Sequence, residues 1–122
     1  MNQKKLEAYV SALDDAGRDF STHFARFEKS ITDTDALNLG GSADIYLSQA
    51  ITAADKFAAC LELLSEDRPS FFTSSSIRNY REEVISHSRA NLAVMSDLIN
   101  SVPQSLRRGA EIALVMSSLR GR

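Results

Sequence analysis

Each of the two histidines in this chain follows an acid by four residues, as Asp19 with His23 and Glu83 with His87. On a helix each pair shares a face, and two such pairs meeting across a bundle would make a carboxylate–histidine metal site. The ligand count falls short, because carboxylate-bridged bundles use Glu-x-x-His pairs plus further glutamates that this chain lacks. Solvated pairs are therefore expected, with no metal and no other cofactor. The stretch Asp33-Thr34-Asp35 with Gly40-Gly41 touches on a calcium loop, but Asn38 and Asp44 stand where that loop needs its glycine and its bidentate glutamate. Gly40-Gly41-Ser42 could offer free amides to an anion, yet it has neither the spacing nor the lysine of a phosphate loop, so helix capping is the better account. Cys60 sits among Ala58, Ala59 and Leu61, where a thiol behaves as a small hydrophobe rather than a nucleophile.

One further pair of residues could do chemistry. Arg81-Glu-Glu-Val-Ile-Ser-His87 places an arginine and a histidine six apart in the third helical segment. This resembles the R-x(4–6)-H motif of the HEPN superfamily, small all-α domains that include metal-independent ribonucleases. The resemblance implies His87 as general acid and base and Arg81 as the group holding the scissile phosphate. Glu82, directly after the arginine, departs from the polar residue usual there and would repel phosphate. Residues 78–120, with Asn91, the aliphatic run from Leu92 to Ile99 and a short final helix, also resemble the C-terminal half of flagellar-type export chaperones.

These residues must be held by helices. Leu6, Val10, Leu13, Gly17, Phe20, Phe24, Phe27 and Ile31 alternate four and three residues apart, a heptad seam that predicts a helix of roughly 27 residues. Residues 32–42 break the pattern with turn formers, and Ser42 is placed to cap the next helix. Ala43, Leu47, Ala50, Ala54, Phe57, Leu61 and Leu64 continue as a second seam, narrow enough for a close neighbour. Pro69 ends that helix. Thr73 is the expected cap of a third helix over about 74–101, with Phe72 stapled onto Ile77. Its apolar stripe is interrupted at Arg81, Ser88 and Asn91. Ser101 is expected to cap a last helix over about 103–119, with Pro103 in its first turn. The second half of that helix is apolar around most of its circumference, so it is either central or covered by something else. The expected architecture is all-α: one domain over 1–122, an antiparallel bundle of three long helices and a shorter C-terminal one.

Composition sets the outer bounds. The 122 residues are 43% hydrophobic and 25% charged with a net charge of −2, which is ordinary globular composition. The longest apolar runs, 57–61 and 112–116, are far below the roughly 20 residues needed to span a bilayer. A lone cysteine and no signal-peptide core make a reducing, cytoplasmic setting the expectation. The charge is unevenly placed: residues 1–67 carry six basic and twelve acidic side chains, and residues 68–122 carry eight arginines against four acids. Attraction between the two halves within one bundle is the simplest account.

The apolar helical surface exceeds what one small bundle can hide. That makes a non-enzymatic protein-binding module the expected function, of chaperone, inhibitor or adaptor type and bacterial or phage origin, laying a helix face on another protein. The surface is expected at Phe71, Phe72, Val115, Met116 and Leu119, flanked by Arg107, Arg108 and Arg120. The same residues could form a homodimer seam. The alternatives are a HEPN-like ribonuclease using Arg81 and His87, or nucleic-acid binding through the Arg-rich half. Nucleic acid is not the expected partner and no membrane role is expected.

Overall fold

Alternating four-three spacing predicts two long seamed helices, and the computed structural model contains both. It describes residues 1–32 and 42–120. The elements are α1 (Gln3–Thr32), α2 (Ser42–Glu66), α3 (Ser75–Asn100) and α4 (Gln104–Arg120), with no strand among the described residues. The Asp33–Asp35 stretch, Gly40-Gly41 and the side chains of Ser42 and Arg120 lie outside the described residues.

The α1–α2 pair is the heart of the bundle. Leu6, Leu13, Phe20, Phe24 and Phe27 of α1 are buried against Ala43, Leu47, Ala50, Ala54, Phe57, Leu61 and Leu64 of α2. Alanines along α2 let the α1 phenylalanines approach, and Phe20 and Phe24 stack with centroids 5.4 Å apart. The start of α1 is tied to the end of α2. Tyr9 donates its hydroxyl to Asp67 Oδ2 at 2.9 Å, and Lys5 pairs with the same oxygen at 2.7 Å.

The third helix packs on both α1 and α2 and α4 packs along α2, while the backbones of α3 and α4 do not approach closely among the described residues. Of the apolar stripe expected to face inward from α3, Ile85 and Met95 are buried and Leu98 stays exposed. Arg81 and Ser88, interruptions of that stripe in sequence, are themselves buried.

Three local expectations are corrected. The N-cap of α3 is Ser74, whose hydroxyl accepts from the Ile77 amide. With the cap one residue later than Thr73, Phe72 falls outside stapling position and is 92% exposed. Ser101 caps the end of α3 rather than the start of α4, its hydroxyl donating to the Leu98 carbonyl at 2.6 Å. Pro103 accordingly precedes α4, and its carbonyl accepts the first helical bonds from Leu106 and Arg107.

Candidate functional site

The last helix carries apolar residues on two opposite faces. At 3.6 residues per turn, Leu106, Ala110, Ala113 and Leu114 share one face, and Ile112, Val115, Met116 and Leu119 share the other. The first face meets α2. Ala110 is fully buried, and Gly109 lies so close to Asp44 that a Cβ there would overlap the carboxylate. The second face looks outward, with exposures between 47% for Met116 and 64% for Ile112. Of the two expected outcomes for this helix, central placement is not found; its outer stripe is exposed among the described residues. Arg108 is exposed beside that stripe, whereas Arg107 is half-buried with its Nε sealed and unpartnered.

Phe71 and Phe72 do not join this surface. They lie in the α2–α3 connection, beside the end of α2, while Leu114 of α4 lines a cavity with Ser48, Gln49 and Thr52. Lys56 of α2 borders the same cavity, and from Lys56 to Glu66 α2 rises about 15 Å at 1.5 Å per residue. The residues expected to form one surface therefore form two.

A second open feature runs between α1 and α3, which lie apart enough to leave two adjoining cavities of about 380 and 360 Å³. Leu13 and Phe57 line both, Gly17 and Met95 line the first, and Tyr80, Val94 and Leu98 expose apolar surface along the rim. Asp14 and Glu83 on the groove's edge stand against Arg18, which lines the first cavity.

The Arg81 and His87 pair is not assembled into a site. Arg81 is 6% exposed and donates from Nη2 to the carbonyls of Leu64 and Ser65, at 3.1 and 3.0 Å. Its Nη1 meets Glu82 at 2.8 Å. His87 is exposed and lines the α1–α3 groove, a different cavity from the one Arg81 lines. His23 faces a third cavity with Asp19, between α1, α2 and α4, so the two acid–histidine pairs do not meet. No cluster of three metal-ligating side chains occurs among the described residues.

The thiol of Cys60 is half-buried, near the Tyr9 carbonyl at 3.8 Å. Burial pushes its pKa up, away from the thiolate a nucleophile needs. At the other end of the same contact, the bond from Lys5 and then that from Tyr9 hold the Asp67 carboxyl below its ordinary value, against opposing desolvation.

Sequence reasoning found the outward α4 stripe but missed the arginine corner at the end of α2. Arg68, Arg78, Arg81 and Arg89 line one cavity of about 580 Å³ there, with Glu82 as its single acid. The signal lay in the spacing: Arg78, Arg81 and Arg89 are three and eight residues apart, which puts them on one stripe of a helix. Among the described residues no helix is long and apolar enough to cross a membrane. No family model, curated protein or solved structure matches this chain.

Proposed function

We propose that this chain is a non-enzymatic protein-binding module that takes an amphipathic helix of another protein on the outward stripe of α4. One observation carries the reading: Ile112, Val115, Met116 and Leu119 stand at i, i+3, i+4 and i+7, exposed, on the face opposite the one docked on α2. That is the spacing by which one helix lies along another. The helix also holds three arginines against one glutamate, so pairing two copies of α4 would set arginine against arginine. An acidic partner helix complements it better.

Magnitude bounds the affinity. Sealing what is still exposed of four such side chains contributes about 4 kcal/mol, and a matching stripe on the partner about as much again. Association itself costs several kcal/mol, so binding in the micromolar range or weaker is expected. Reversible capture suits an adaptor, inhibitor or chaperone.

Self-association has a specific observation in its favour. The α1–α3 groove has an apolar floor edged by Asp14 and Glu83 against Arg18, and it could receive the apolar α4 stripe of a second copy head to tail. Met116→Glu tests both readings. With helicity unchanged by circular dichroism, the variant should lose a host protein captured by the parent chain, or fall in mass by light scattering if copies associate. A parent that is monomeric and captures the same proteins as the variant would overturn both.

A further inference from the structure

The α2–α3 connection carries a tight turn in which the Thr73 amide donates to the Ser70 carbonyl at 3.1 Å. On it stand Phe71 and Phe72, 89% and 92% exposed, packed only edge to face on each other with centroids 5.6 Å apart. Two phenyl rings held in water contribute almost nothing to the core, and any polar pair would fill the turn as well.

Arg78 joins this turn to the arginine corner. Its Nε donates to the Thr73 carbonyl at 3.2 Å and its Nη2 to the Ser70 carbonyl at 2.6 Å. The same side chain lines the corner cavity with Arg68, Arg81 and Arg89, and Glu82 alone opposes them. Arg81 is buried with its Nε unpartnered, and Arg68 and Arg89 have no acid partner among the described residues. Asp67, the nearest acid in sequence to Arg68, is already matched by Lys5. Four arginines against one glutamate thus accumulate beside two bare aromatic rings.

We propose that this end of the bundle docks on an anionic lipid surface. Phe71 and Phe72 enter the boundary between headgroups and acyl chains, and Arg68, Arg78 and Arg89 meet the lipid phosphates. An apolar insertion plus a basic cluster is the two-signal combination that reversible peripheral binding takes. A protein partner fits less well, because two side chains fall far short of the roughly 800 Å² per side of a stable interface. Single-stranded nucleic acid also fits less well, because rings set edge to face do not offer parallel platforms to successive bases. This site and the α4 stripe share no residue, so either proposal can fail without the other.

Co-sedimentation of the full chain with vesicles tests it. The chain should bind phosphatidylcholine vesicles containing about one-third phosphatidylserine, and not phosphatidylcholine alone, with binding that weakens as salt rises. Replacing both phenylalanines, Phe71→Ser with Phe72→Ser, should lower the partition at least about tenfold. Arg68→Gln with Arg89→Gln should lower it about fivefold for each arginine removed. All four residues are exposed, so circular dichroism should show unchanged helicity in both variants. The chain contains no tryptophan, so Phe72→Trp gives a background-free probe whose emission should shift to the blue on adding anionic vesicles. Absence of binding to anionic vesicles would overturn the proposal. So would binding that survives both double substitutions, or retention on single-stranded RNA without any blue shift on vesicles.

Discussion

Arg81 of α3 donates to the carbonyl of Leu64, seventeen residues earlier, at the C-terminal end of α2. The last carbonyls of a helix lack intrahelical donors, and α2 has no basic residue of its own in its last turn. Arg81 supplies both the hydrogen bonds and the positive charge from a neighbouring helix. This purpose accounts for a buried arginine on an otherwise apolar stripe.

Replacing it should therefore be a stability change. Arg81→Met removes bonds from a charged donor to one buried and one partly buried carbonyl and should cost about 2 kcal/mol, read from urea unfolding followed by circular dichroism. Arg81→Lys should recover only part of this, since an ammonium cannot reproduce the planar fork. A loss below about 0.5 kcal/mol would show that the contact is decoration.

The Lys5–Asp67–Tyr9 contact makes stability depend on pH at both ends of the range. Asp67 is held below its ordinary 3.8, so its contribution is complete above that value and is lost as pH falls through the lower folded value. The bond to Asp67 holds Lys5 above its ordinary 10.5, and burial first, then the bond to Asp67, holds Tyr9 above its ordinary 10.0, so their contribution is complete below about pH 10 and fades as each is deprotonated. Asp67→Asn should lower stability at neutral pH, with the difference from the parent shrinking in strong acid. A difference that stays constant down to full protonation would contradict this.

Docking of α4 on α2 depends on Gly109. A glycine inside a helix costs about 1 kcal/mol relative to alanine, yet a Cβ here would meet the Asp44 carboxylate. Gly109→Leu cannot be accommodated by a small shift of that carboxylate. It should separate α4 from α2 and speed hydrogen exchange over 104–120, leaving α1 and α2 protected. Gly109→Leu paired with Asp44→Ala should restore part of the protection. Unchanged exchange in the single variant would show that the contact is dispensable.

The parts of the fold that local periodicity controls were legible. Except for Ile31, exposed at the end of the α1 seam, the α1 and α2 seams lie where heptad spacing puts them, because each residue's neighbours along the stripe are its neighbours in space. What was not legible depends on partners distant in sequence. Nothing near Arg81 indicates that it will find the end of α2. In the run Thr73-Ser74-Ser75-Ser76 several hydroxyls are chemically able to cap α3, and Arg78, by clamping the carbonyls of Ser70 and Thr73, accompanies the choice of Ser74. The wheel of α4 showed too much hydrocarbon but not which side would dock, and the approach of Gly109 to Asp44 decides that. The expected surface combined Phe71 and Phe72 with α4, and the last turns of α2, beyond Lys56, stand between them.

Because the buried seams of α1 and α2 face each other, while the backbones of α3 and α4 do not approach closely among the described residues, the chain can condense in order of its synthesis. The first 66 residues already contain most of the oil the molecule encloses, and the later helices add themselves to a finished hairpin. Truncating a contact inside that hairpin, as in Phe27→Leu or Leu47→Ala, should slow folding, whereas Met95→Ala or Val102→Ala should mainly hasten unfolding. A growing chain on this plan shelters its stickiest half before the arginine-rich half has been made.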